Sequence, residues 1–220
     1  MGSRKYMFKD RRNAAERLKE QLPLDQMKHE KWHLVAVSSG GLELIHHLNT
    51  RLKLQTDFLF SAGIYAPKNS DCELARVSEF EEIVINERLV EAFEITHDYI
   101  YGEASRKHEE KILSYIYKYR KGEHFEDMQG ETIMLVDEGA ESGLKLMAAI
   151  KTVLAMNPKA VYIAVPVLPN DLLDTLEPLA DDIFLVSALD DYVDTGSYYE
   201  DFATVTDEQI EQYLGEKDGV

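Results

Sequence analysis

An α/β fold, with a mostly parallel sheet and helices on both of its faces, is what this sequence predicts. Three observations carry that expectation. Apolar runs such as Thr132-Ile133-Met134-Leu135-Val136 and Ala160-Val161-Tyr162-Ile163-Ala164-Val165 show no polar alternation, as expected of strands buried on both faces. Amphipathic helical stretches lie between such runs, so strand and helix alternate along the chain. Small-residue turns, Ser38-Ser39-Gly40-Gly41 and Gly139-Ala140-Glu141-Ser142-Gly143, join strand to helix.

Taken in order, residues 8–21 read as an amphipathic helix with Asp10 as N-cap and Leu18 and Leu22 at i,i+4; Pro23 ends it or starts the next turn. His33-Leu34-Val35-Ala36-Val37 is a strand, and Leu42, Leu44, Ile45 and Leu48 follow its turn at helical spacing. Phe58-Leu59-Phe60 reads as a second strand. Ala75-Arg76-Val77-Ser78 and Ile83-Val84-Ile85 read as a hairpin, with the acidic residues 79–82 solvated at its turn. Asn86 caps a short helix. Residues 103–121 form a charge-dense helix with Ile112, Tyr115, Ile116 and Tyr119 in one apolar stripe, stopped by Gly122; Tyr115, Tyr117 and Tyr119 are expected to pack. Residues 132–136 are the clearest strand, followed by a helix over 144–156, a strand over 160–165 ended by Pro166, a helix over 172–179 and a strand over 182–186. Thr206 caps a last helix over 207–214, and the acidic tail 215–220 is expected to be flexible.

Composition narrows the function. The 220 residues, 45% hydrophobic and 30% charged, suit a single globular domain over 1–220. No apolar run approaches the roughly 20 residues of a membrane span, and the charged N-terminus has no apolar signal region, so a cytoplasmic location and no membrane insertion are expected. Cys72 is the single cysteine, which excludes an intrachain disulfide and a cysteine-rich zinc module; it reads as an ordinary thiol. A formal net charge of −17 opposes nucleic-acid binding, which draws on Lys and Arg, so a phosphate site here must be local. The seven histidines show no metal-ligand spacing, and His46 and His47, neighbours on a helix, are expected to face different ways. No G-x-S-x-G elbow and no second acidic cluster for a two-metal site is present.

The chemistry concentrates in Ile133-Met134-Leu135-Val136-Asp137-Glu138-Gly139-Ala140-Glu141-Ser142-Gly143. Ligands of open parallel sheets bind beyond the carboxyl ends of the strands. A turn of small residues lets backbone N–H groups approach a phosphate, and the following helix offers its positive end to the same anion. Two adjacent carboxylates at the strand end can accept hydrogen bonds from ribose hydroxyls. The segment resembles the 5-phosphoribosyl diphosphate (PRPP) motif of type I phosphoribosyltransferases. Further matches to a bacterial subgroup of that family are Phe8, Asp10, Arg11, Ala14 and Leu18, Ala66-Pro67, Glu73-Leu74-Ala75, Asn86-Glu87, Tyr119-Arg120, Val165-Pro166-Val167, Tyr198-Tyr199-Glu200-Asp201-Phe202 and Val205-Thr206-Asp207, so the similarity spans about residues 8–215.

The resemblance implies a type I phosphoribosyltransferase-like fold with a small hood region. It implies that Asp137 and Glu138 bind the ribose hydroxyls of PRPP, that Gly139, Ala140, Glu141, Ser142, Gly143 and Lys145 form the 5-phosphate loop, and that Ser38, Ser39, Gly40 and Gly41 form the pyrophosphate loop. It further implies Mg²⁺ bound with PRPP, a small-molecule acceptor such as a nucleobase, a place in nucleotide metabolism, and a homodimer. The sequence departs from the pattern in two places. Ser39 stands where Arg or Lys is usual, and charge-assisted contacts are about twice as strong as neutral ones. Glu141 stands where a small residue is usual and Lys145 where a threonine is usual; Lys145 can serve the phosphate or pair with Glu141 at i,i+4. Arg76, Arg106, Lys107 and Arg120 are the cations available to replace the missing one. Two readings stay open: transfer of 5-phosphoribosyl from PRPP with release of pyrophosphate, or a catalytically degenerate protein of the same fold acting as a regulatory or structural partner.

Overall fold

The computed structural model describes residues 6–215; the acidic tail after Gly215 lies outside the described residues. Helix α1 (Arg11–Lys19) begins where the Asp10 carboxylate accepts the Asn13 N–H at 2.7 Å, the cap expected of it. A helix missing from the sequence reading follows, α2 (Leu24–Glu30); Met27 alone is buried in it, so it carries little apolar periodicity. Strand β1 (His33–Ala36) leads into α3 (Ser39–Asn49), and β2 (Thr56–Phe58) comes next, displaced toward the N-terminus from the expected 58–60. On α3 the His46 and His47 rings do not diverge as expected: their centroids lie 5.1 Å apart, edge to face.

The chain then leaves the central sheet for a hood. Strands β3 (Ser61–Ala66), β4 (Asn69–Ser78) and β5 (Ile83–Ile85) form a separate antiparallel sheet in that order. The β4–β5 pair is the expected hairpin. β3 has no clear sequence signal because its pairing with β4 is broken by register shifts around Tyr65, which interrupt the period-two pattern. The turn residue Glu79 is buried rather than solvated: its carboxylate pairs with the Arg120 guanidinium and accepts the Phe60 N–H at 2.9 Å. Asn86 caps α4 (Glu87–Ala92). Next come α5 (His97–Lys107), a π-helical turn (His108–Ile112) and α6 (Leu113–Arg120), ended by Lys121 in the left-handed region at φ 54°. Tyr115, Ile116 and Tyr119 pack on the core. Tyr117 does not, being 78% exposed, because a two-residue step crosses to the far side of a helix.

The remaining elements are β6 (Thr132–Val136), α7 (Leu144–Leu154), β7 (Ala160–Pro169), α8 (Asn170–Leu176), β8 (Asp182–Leu189) and α9 (Asp207–Gly215). Thr206 and Gln209 exchange side-chain-to-backbone hydrogen bonds at 2.8 and 3.3 Å, a reciprocal cap on α9. Pro166 does not end β7 as expected. β6 pairs no further than Val136 opposite Ala164, so no strand stands where the proline N–H is missing, while β8 continues alongside to Leu189.

The central sheet has the order β2-β1-β6-β7-β8 and is parallel throughout. Its two faces are both buried. Leu34, Ala36, Met134 and Val136 join one apolar cluster with α1 and α3; Val35, Ile133, Leu135 and Ile163 join the other with α7 and α8. This period-two division explains why the strands read as unbroken apolar runs. From β1 the chain first steps to β2 on one side and later returns to β6 on the other. The crevice between β1 and β6 is therefore the switch point where such sheets receive ligands.

Candidate functional site

The turn after β1 and the turn after β6 meet at this crevice. Ser38 caps α3, its Oγ accepting the Gly41 N–H at 2.9 Å. The same hydroxyl carries one proton and donates it between Asp137 Oδ1 and Glu138 Oε2. Residues 99 and 100 positions apart are thus brought into one hydrogen-bonded group. Asp137 is 1% exposed and Glu138 half-buried. Gly41 is required by close approach, since a Cβ there would lie 2.3 Å from the Val136 carbonyl oxygen, whereas a Cβ at Gly40 would meet the movable Glu138 carboxyl at the same distance.

Lys145, at the head of α7, reaches back to Asp137 Oδ2 at 3.0 Å. It does not pair with Glu141, the local partner that i,i+4 spacing offered. Glu141 instead accepts the Thr195 N–H at 3.1 Å, which ties the loop to the segment after β8. Burial opposes ionisation of Asp137, but the Lys145 ammonium and the hydrogen bonds from Glu138 and Ser38 outweigh it and hold this carboxyl below its usual range. Glu138 moves the other way. Burial first, and the neighbouring Asp137 charge second, push it up to about 7. Lys145 loses some basicity to burial and regains more from the two carboxylates, so its ammonium is retained.

The loop itself is a cradle of donors. The Ala140 N–H is used by the Val167 carbonyl at 3.3 Å, and the Leu144 N–H reaches Ser142 Oγ at 3.4 Å. Among the described residues, the N–H groups of Gly139, Glu141, Ser142 and Gly143 have no protein acceptor. Gly143 precedes α7 at φ +72°, a conformation that suits glycine and turns the loop into the helix. An anion placed here would meet backbone donors, the positive end of α7 and Lys145 together.

Of the replacement cations, Arg106 is held by Glu103 and Glu110 at 2.7 and 2.6 Å, and Arg120 by Glu79. Arg76 is paired with Glu73 at 2.8 Å, yet it lies close enough to Lys145 to act on it electrostatically. Two contributors had no role in the site on sequence grounds, although Tyr199 lies in a segment that matches the family. The Tyr199 hydroxyl donates to the Glu138 carbonyl at 2.6 Å, fixing the acid pair from the buried C-terminal segment. Thr195 packs against Gly139, where a Cβ would lie 2.5 Å from its methyl group. Nothing in the local sequence pattern marks either one; both act across the fold.

No family model matches the chain. Two Mycobacterium tuberculosis proteins, from strains CDC 1551 / Oshkosh and ATCC 25618 / H37Rv, each bear the description "Putative phosphoribosyl transferase"; each is 20% identical over 208 residues, 94% of this chain and 46% of the relative. The chain thus spans about half the length of these curated relatives. The crystal structure of TT1426 from Thermus thermophilus superposes with a TM-score of 0.74 at 28% identity, covering 94% of this chain and 97% of that one. The kinship with phosphoribosyltransferases read from the sequence is one that the curated homologues carry in their own description.

Proposed function

We propose that this chain, a relative of phosphoribosyl transferases, binds PRPP in the β1–β6 crevice and transfers its 5-phosphoribosyl group to a small acceptor, with pyrophosphate released. The observation that carries this reading is the meeting of Asp137 and Glu138 with the Ser38 turn beside four unclaimed loop amides. The loop amides and Lys145 receive the 5-phosphate. Asp137 and Glu138 then accept hydrogen bonds from the ribose hydroxyls, in place of those from Lys145 and Ser38. The Ser39 and Gly40 amides face the pyrophosphate. In the transfer, the bond from the ribose anomeric carbon to pyrophosphate breaks with its electron pair on pyrophosphate. The acceptor lone pair forms the new bond and the acceptor releases its proton to solvent. Positioning and fixed dipoles supply most of the rate.

Among the described residues no group of three or more His, Cys, Asp or Glu could hold a metal alone. Asp137 and Glu138 are the residues that would hold Mg²⁺, together with oxygens of the bound ligand. When bound, it would neutralise charge on the departing pyrophosphate.

One observation favours a second reading. Lys145 and Ser38 already occupy the acid pair, so the two carboxyls have protein partners of their own, as a non-catalytic binding or regulatory protein would tolerate. Release of pyrophosphate from PRPP, with Mg²⁺ and mixed nucleobases as acceptors, separates the two. The transferase reading expects release above the buffer rate and its loss in Asp137→Asn/Glu138→Gln. Release no faster than in buffer would move the weight to the second reading.

A further inference from the structure

Away from the crevice, at the opposite end of α3 from Ser38, lies a groove of about 620 Å³ between α1, α3 and the segment after α3. That size is within the range of small-molecule sites, roughly 300–1,000 Å³. Arg12, Lys19, His46, His47 and Arg51 converge on it, and among the described residues Glu16 is the one acid in its lining. On a chain of net charge −17, this gathering of basic side chains departs from the overall balance.

The obvious structural role accounts for only part of it. Lys19 donates to the His47 carbonyl at 2.7 Å, and Thr50 Oγ1 donates to the His46 and His47 carbonyls at 3.1 and 3.2 Å. These contacts satisfy the last carbonyls of α3, whose negative end would otherwise oppose an anion. Arg51 has no ion-pair or hydrogen-bond partner among the described residues. Among the described residues Arg12 is paired only with Glu16, at 3.8 Å, both side chains being mostly in water, and a pair of that kind contributes little. The Lys19 ammonium is held below its usual basicity, first by burial; Arg51 and Arg12 push the same way, against Glu16.

We propose that this groove is a second anion site, separate from the acid pair, that takes a phosphorylated small molecule carrying two or more negative charges. Arg51 and Arg12 supply the charge-assisted hydrogen bonds, and the adjacent His46 and His47 rings, 5.1 Å apart, supply the wall. The chain's net charge of −17 disfavours a nucleic acid there.

The test is NMR titration of the full chain with inorganic diphosphate, following the His46 and His47 ring resonances at low salt. Saturable shifts are expected. Arg12→Ala/Arg51→Ala should weaken the apparent affinity about tenfold or more, and Arg51→Ala alone by a smaller factor, while Asp137→Asn/Glu138→Gln leaves both rings' response unchanged. Because Arg12 and Arg51 are exposed, these variants keep the fold, as unaltered methyl resonances will report. Absent shifts, equal shifts with sodium chloride at matched ionic strength, or an unchanged response in both arginine variants would each overturn the proposal.

Discussion

Replacing Glu138 by Gln should abolish a specific loss of stability as pH rises. Glu138 has its folded pKa raised from 4.5 to about 7. Between those values the unfolded state has released a proton that the folded state keeps, so stability falls with rising pH, and the fall ends near pH 7. Solubility is lowest near the isoelectric point of about 4.8, so pH 5.5 is a practical lower limit. From pH 5.5 to about 7 the loss comes to about 2 kcal/mol at 1.36 kcal/mol per unit. Asp137 acts in the opposite sense, but its carboxyl is held below the ordinary 3.8, outside this window. Gln keeps the shape and cannot ionise, so Glu138→Gln should gain about 2 kcal/mol relative to the wild type between pH 5.5 and 8.5. Urea unfolding of both proteins at the two pH values measures this difference, with all other titrating groups common to both. Parallel pH profiles for the two proteins would refute the reasoning.

Three further outcomes follow from the same contacts. Lys145→Met leaves the buried Asp137 carboxylate without its cation and should cost about 2–3 kcal/mol in urea unfolding at pH 8. Tyr199→Phe removes the hydrogen bond to the Glu138 carbonyl and should cost about 1 kcal/mol, read from the same unfolding curves. Gly40→Ala places a methyl group against the movable Glu138 carboxyl, so it should lower stability only slightly while weakening PRPP binding by about tenfold or more in calorimetry.

The parts of the fold legible in the sequence are those set by local pattern. The period-two burial of β1 and β6 wrote itself as apolar runs, and Asp10, Asn86 and Thr206 each cap the helix their side chains predict. What stayed hidden was set by distant partners. α2 buries a single residue, β3 is paired through a bulged register, and Glu79 reads as a solvated turn acid until Arg120 from the far end of α6 covers it. The site divides in the same way. Asp137, Glu138 and the loop were visible as a strand end followed by small residues. The choice of Lys145 for Asp137, and of Glu141 for the Thr195 amide, depends on how α7 and the segment after β8 approach the loop. Helical spacing alone allows a local Glu141–Lys145 pair as well as a phosphate contact.

Isothermal titration of PRPP with Mg²⁺, at low and at physiological salt, asks whether the acid pair and its loop form a sugar-phosphate site. Binding in the micromolar range that disappears in Asp137→Asn/Glu138→Gln is expected. No binding up to millimolar PRPP, or binding retained in that double variant, would contradict it.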